Sequence, residues 1–132
     1  MSGNGDIWSA AREGNVARLS KLIADNADVN VNDSINDTPL HKAVEKNHSA
    51  AAQVLVNAKA TVDAMNTSSN TPLHYAAYYG HTAAAQVLVD AKAHIKIVGK
   101  SWNTAFQFAE SQGKLDTANM LRAAAMIRDF NV

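Results

Sequence analysis

Apolar positions along the chain recur in short clusters at helical spacing. Leu73, Ala76 and Ala77 stand at i, i+3 and i+4, so they share one face of a helix. Thr71 before them is a good N-cap, Pro72 suits the first helical position, and Gly80 after them suits a left-handed stop. The pattern predicts a two-turn helix over 72–79. A helix that short is unstable alone and must lean on neighbours. The neighbours are copies of it. Thr38-Pro39-Leu40-His41, Thr71-Pro72-Leu73-His74 and Thr104-Ala105-Phe106-Gln107 follow one another at intervals of 33 residues, and one more step back reaches Gly5-Asp6-Ile7-Trp8. The helix stops keep the same beat at Gly14, Asn47, Gly80 and Gly113. Asparagine is the non-glycine residue that enters the left-handed region most readily, so Asn47 fits its place.

The segment after each stop repeats as well. Ala50 to Val56 and Ala83 to Val89 both read Ala-Ala-Ala-Gln-Val-Leu-Val, and Leu22, Leu55, Leu88 and Leu121 form one column. A fixed period near 33 with two short helices per unit predicts a stacked array whose core lies between units. The helices are expected near 6–13 and 15–24, 39–46 and 49–57, 72–79 and 82–90, 105–112 and 115–126. Polar, turn-rich segments at 26–37, 61–70 and 94–103 link the units. Residues 1–4 read as a flexible lead, 5–37, 38–70, 71–103 and 104–126 as four repeats, and 127–132 as a tail. The first unit lacks Thr-Pro-Leu-His and carries Arg12, Glu13, Arg18 and Lys21. The fourth loses proline and histidine and gains Lys114, Asp116, Arg122 and Arg128. Both suit terminal caps, where one face meets water. Trp8 occupies the column of His41 and His74 and is expected to plug the end of the stack.

At these residues the chain resembles the ankyrin-repeat family. Thr-Pro-Leu-His, the pair Ala76-Ala77, the pair Gly80-His81 and Ala27-Asp28-Val29-Asn30 carry the resemblance, which covers about 5–126. It implies an all-α solenoid of antiparallel helix pairs with projecting β-hairpin loops, and a role in binding other proteins. The layout is similar to that of the small stand-alone, myotrophin-like ankyrin proteins. Two positions depart from the family pattern. Where ankyrin repeats usually have glycine two residues before the threonine, this chain has Asn36, Ser69 and Trp102. Lys59 and Lys92 replace another usual glycine, and a left-handed lysine costs on the order of 1 kcal/mol. A favourable cation at a helix C-terminus offsets part of that.

Composition narrows the function. Lysine and arginine number 12 against 12 acidic residues, and the isoelectric point is near 7.0. No basic run offers the positive footprint that nucleic acid requires. No apolar stretch reaches membrane-spanning length, and no secretory leader is evident. There is no cysteine for disulfide or thiolate chemistry. The expectation is a monomer in the cytoplasm or nucleocytoplasm, with no cofactor, no metal and no membrane or nucleic-acid partner.

No nucleophile–base–acid constellation stands out, and the glycines sit at helix stops instead of grouping in a phosphate loop, so no enzyme is expected. His41 and His74, like His48 and His81, are one repeat step apart, too far to share one zinc ion. The resemblance implies that the signature histidine ties neighbouring loops. Function is therefore expected on the surface. Carried over position by position, the family's concave face comprises Arg12, Asn32, Ser34, Ile35, Asp37, Glu45 and Lys46, then Met65, Thr67, Asn70, Tyr78 and Tyr79, then Val98, Lys100, Trp102, Asn103, Ser111 and Gln112. Tyr78, Tyr79 and Trp102 form its aromatic end, and these residue types are enriched at interface hot spots. The alternative for this cluster is that Tyr75 and one of Tyr78 and Tyr79 pack between fingers. Phe130-Asn131-Val132 has the hydrophobic-x-hydrophobic form of a PDZ ligand, a short signal. The leading expectation is an adaptor or inhibitor of a partner protein. The alternative is a recognition domain of a larger kinase, channel or effector whose activity lies elsewhere.

Overall fold

The computed structural model describes residues 4–99, 101 and 103–130, the side chains of 4–6 and 130 apart. Among the described residues eight helices follow in order: α1 (Asn4–Glu13), α2 (Val16–Ala24), α3 (Pro39–Glu45), α4 (Ser49–Asn57), α5 (Pro72–Tyr79), α6 (Thr82–Asp90), α7 (Ala105–Ser111) and α8 (Leu115–Phe130). Each odd helix packs on the even helix that follows it. The odd helices stack α1 on α3 on α5 on α7, and the even ones α2 on α4 on α6 on α8. The result is the expected two-layered solenoid.

Its core is built in columns. Ile7, Leu40 and Leu73 are fully buried at one register, with Ala10, Ala43 and Ala76 at the next. Small residues at alternate positions let successive helices approach closely, and the leucines fill the gaps between layers. Leu55, Leu88 and Leu121 are buried as a column, whereas Leu22 at the start of the stack is only partly covered.

The helix starts explain the repeated Thr-Pro-Leu-His. Thr38 and Thr71 accept a hydrogen bond from the backbone N–H of His41 and His74. In return the histidine Nδ1 accepts from the threonine N–H, at 3.1 Å in the first case and 3.0 Å in the second. With Nδ1 accepting, the proton sits on Nε2, which donates to the next finger: His41 to Asn70 O at 2.9 Å and His74 to Asn103 O at 3.1 Å. Burial pushes both imidazoles below their ordinary pKa. Thr104 keeps the cap with Gln107, but glutamine faces no further finger. Trp8 does more than plug the end. Half-buried, it donates Nε1–H to Val31 O at 3.1 Å and so ties down the first finger.

The fingers are short turns, with no strand among the described residues. Asp33 N–H meets Asp37 O at 3.0 Å, Asn66 N–H meets Asn70 O at 3.1 Å, and Thr67 N–H crosses to Ile35 O of the previous finger at 2.9 Å. Asn36 (φ 63°) and Ser69 (φ 58°) take the left-handed turn position, and Lys59 (φ 73°) and Lys92 (φ 70°) the left-handed helix stop. Asn26 (φ 72°) belongs to that second column too. Trp102 and Lys100 lie outside the described residues, as does the terminal Asn131-Val132 with the Phe130 side chain.

Two boundaries are corrected. The first helix, expected from 6 after a flexible lead, already includes Asn4 and Gly5. The last helix was expected to end near 126 and instead runs to Phe130. The alanines at 123–125 are strong helix formers, and the added turn has work to do. Arg128 donates to Val89 O at 3.1 Å and to Ala93 O, satisfying carbonyls at the end of α6. The fingers meanwhile are linked by a repeated contact: Asn30 Oδ1 accepts from Thr61 N–H at 2.8 Å, and Asp63 accepts from His94 N–H at 3.1 Å. At the third step the corresponding backbone is already helical and has no free N–H. Lys96 stands there instead, and pairs with Asp129 at 3.1 Å.

Candidate functional site

On α5 the inward stripe is complete with Leu73, Ala76 and Ala77, so Tyr75, Tyr78 and Tyr79 fall on the opposite side at i, i+3 and i+4. Tyr78 is 42% exposed and Tyr79 44%. Their rings meet edge to face, with centroids 5.1 Å apart. Tyr78 also meets Phe108 of α7 at 5.9 Å and 89°, and Tyr79 stacks on His81 at 5.7 Å. His81 is itself fixed, its Nε2 lying 3.0 Å from Glu45 O. Aromatic rings held this way contribute contact area with little entropy left to lose.

Tyr75 is the fixed member of the group. Its hydroxyl donates to Asp37 across two repeats, 3.0 Å from Oδ1, and accepts from Asn66 Nδ2 at 2.8 Å. Burial and then the neighbouring Asp37 carboxylate push its pKa up strongly, with Glu45 adding to the effect. The phenol therefore stays protonated and serves as a donor.

This contact corrects the assignment of Asp37 to the partner-binding surface. Asp37 is 1% exposed, and its carboxylate is occupied within the chain. It accepts from Tyr75, from Asn66 Nδ2 at 3.0 Å, and from Lys42 Nζ at 3.3 Å. Lys42 reaches Asp33 as well, at 3.0 Å. Burial alone would raise Asp33, but the Lys42 ammonium and the N–H groups of Asp37 and Ile35 outweigh it and hold the carboxyl below its ordinary value. For Lys42 burial is likewise the largest single effect, and the two carboxylates reverse it, so its pKa is raised.

The remaining surface positions divide by exposure. Ile35, Met65 and Val98 are exposed apolar side chains on successive fingers; Met65 and Val98 share one place in the repeat, and Ile35 stands three residues further on in its own finger. Lys46, Ser111 and Gln112 are exposed, and Glu45 and Asn103 half-buried. Asn70 is half-buried, with its backbone carbonyl committed to His41 and its N–H to Asn66 Oδ1. Phe108 was not singled out in the sequence. The signal was its place in the column of Lys42 and Tyr75, on the outer face of its helix.

The family model described as ankyrin repeats (3 copies) matches residues 7–99. The chain belongs to the ankyrin-repeat family. Ankyrin repeats mediate protein–protein interaction, and theirs is a non-catalytic fold. The chain is also similar to acyl-CoA-binding domain-containing protein 4 of Oryza sativa subsp. japonica, with 41% identity over 51 residues. That stretch is 39% of this ankyrin chain and 15% of the rice protein, so the likeness concerns a small part of the relative. Among the described residues no helix is long and apolar enough to cross a membrane.

Proposed function

We propose that this ankyrin chain is a non-enzymatic adaptor or inhibitor that binds a partner protein through its finger face, acting as a monomer in the cytoplasm or nucleocytoplasm. The observation that supports it is the pair Tyr78 and Tyr79. Both are large, preorganised and over 40% exposed, although the stripe that stacks the repeats is complete without them. Exposed rings of this kind at the centre of an interface each contribute about 2 kcal/mol or more. Ile35, Met65 and Val98 extend an apolar track along the finger tips, and Glu45, Lys46, Asn103, Ser111 and Gln112 give it a polar rim. A second reading, a recognition module within a larger protein, is favoured by the rice relative, of which the matched stretch is only 15%.

The test is affinity capture from source-cell lysate with wild type beside Tyr78→Ala/Tyr79→Ala, with circular dichroism confirming that the variant stays folded. Loss of the captured partners is expected. A folded double variant that retains the same partners at the same level overturns this assignment of the face.

A further inference from the structure

Beside the tyrosines, between α5 and α7, lies a pocket of about 260 Å3 lined by Asn70, His74, Tyr75, Tyr78, Tyr79 and Phe108. Comparison with the preceding repeat step shows what is unusual about it. There the buried acceptor Asp37 has three donors: Asn66 from the next finger, Tyr75 from α5, and Lys42 from α3, the helix that follows it in sequence. One step on, the acceptor column holds Asn70. The column of Asn66 now holds Gly99, which has no side chain, and that of Tyr75 holds Phe108, which has no hydroxyl. The column of Lys42 holds Tyr75, whose hydroxyl is already given to Asp37. All three donors are gone, and Asn70 Oδ1 is a buried side-chain oxygen with no hydrogen-bond partner among the described residues. It packs against Gly99, where an added Cβ would come within 2.6 Å of it. An orphaned acceptor of this kind is rare in native folds.

We propose that this pocket takes the guanidinium of an arginine side chain carried by a partner protein, which donates to the Asn70 amide oxygen and packs into the corner between the Tyr78 and Phe108 rings, with Glu45 as its counter-charge. The proposal rests on the reading of the finger face as the binding surface. Turning the Asn70 amide about its last, soft torsion presents the oxygen to the pocket. The two rings stand at 89° to each other and form a corner whose faces attract a cation. None of the described lining residues carries a positive charge. His74 is held neutral by the N–H that Nδ1 accepts. Glu45, in the register of Tyr78 one repeat earlier, is close enough to act electrostatically on Tyr75 and has no ion pair among the described residues. Of the nearby cations, Lys42 is committed to Asp33 and Asp37, and Lys46, in the register of Tyr79, is exposed. Guanidinium fits better than ammonium because it is planar, weakly hydrated and presents several donors at once.

The test is an NMR titration of the intact chain with N-acetyl-arginine methylamide, and with the citrulline analogue of the same shape and no charge. Saturable shifts of the Tyr78 and Phe108 ring signals are expected with the arginine probe, and affinity about fivefold lower with citrulline. Tyr78→Leu, which keeps apolar bulk but removes the π face, is expected to weaken the arginine probe by a similar factor. Phe108→Tyr puts a hydroxyl where Tyr75 has one, and so supplies Asn70 with a donor from within; this variant should melt higher and bind the arginine probe more weakly. Equal affinity for the two probes, no saturable shift, or unchanged binding in folded Phe108→Tyr overturns the proposal. The outcome is separate from that of the capture experiment: loss of partners in Tyr78→Ala/Tyr79→Ala together with equal probe affinities leaves the face in place and removes the arginine.

Discussion

Asp37→Ala tests the polar link between fingers most directly. The substitution removes a carboxylate that accepts from Tyr75 Oη, Asn66 Nδ2 and Lys42 Nζ, all within 3.3 Å. Stripping the partner from a buried charge typically costs 3–5 kcal/mol, but Lys42 is not stranded here, because Asp33 holds it at 3.0 Å. Asn66 and Tyr75 also keep the 2.8 Å bond between themselves. What remains is the loss of two hydrogen bonds to a charged acceptor and one donor left unmatched, about 2–3 kcal/mol. For a chain of 132 residues that lowers the melting temperature by about 10 °C. Asp37→Asn retains an oxygen for Tyr75 and is expected to cost about half as much.

Urea denaturation followed by circular dichroism, run as a cycle with Tyr75→Phe, measures the coupling. Residues in one network are non-additive, and about 1 kcal/mol of the single losses should be shared between Asp37 and Tyr75. The pair is largely buried, so the loss should persist at high salt. The reasoning fails if folded Asp37→Ala lies within 0.5 kcal/mol of wild type, or if the two substitutions add with no shared part. Either result would mean that the contact spanning 38 residues contributes little.

Leu55→Ala, at a fully buried site, is expected to cost about 2–5 kcal/mol, whereas Pro39→Ala should cost under about 1 kcal/mol because it affects only helix entry; the reverse order in thermal melts would refute the stacking of α4. Stability should fall with acidity below pH 6.5, since His41 and His74 are held below that ordinary value when folded and the unfolded chain binds the extra protons. Asp33, lowered from 3.8, adds a further loss in stronger acid. Above pH 10.0 the raised Tyr75 and Lys42 make stability fall again, because the unfolded tyrosine ionises and the lysine ion pair is lost. Urea midpoints across pH check both limbs, and His41→Gln should flatten the acid one. Lys59→Gly and Lys92→Gly, at φ 73° and 70°, should each be neutral to about 1 kcal/mol stabilising, against the usual cost of glycine near a helix end.

What the sequence made legible is what repeats. Thr71, Pro72 and Gly80 act within a few residues of themselves, and their roles follow from local rules for caps and stops. The left-handed Lys59 and Lys92 were readable because a column places them where chain geometry demands a positive φ, whatever residue is present. The extra turn of α8 was not read, because Arg128 acts on carbonyls 35 and 39 residues away. Asp37 failed for the same reason. Its finger position says surface, and it is covered by Asn66 of the next finger and Tyr75 of the repeat after next.

The columns also show how a uniform scaffold acquires a particular site. Repetition guarantees that each acceptor at the base of a finger faces the same two neighbouring positions. Where those positions hold Asn66 and Tyr75, the acceptor is satisfied and the surface above it is closed by internal bonds. Where they hold Gly99 and Phe108, the acceptor is left bare and the Phe108 ring has no hydroxyl to give it. Neither glycine nor phenylalanine looks functional by itself, and neither breaks the fold. Their effect appears only as a difference between adjacent registers, and that difference falls on the step where Tyr78 and Tyr79 stand exposed. A site in a repeat protein is thus sought where substitutions relative to the neighbouring unit remove internal partners, since those are the groups left available to an external one.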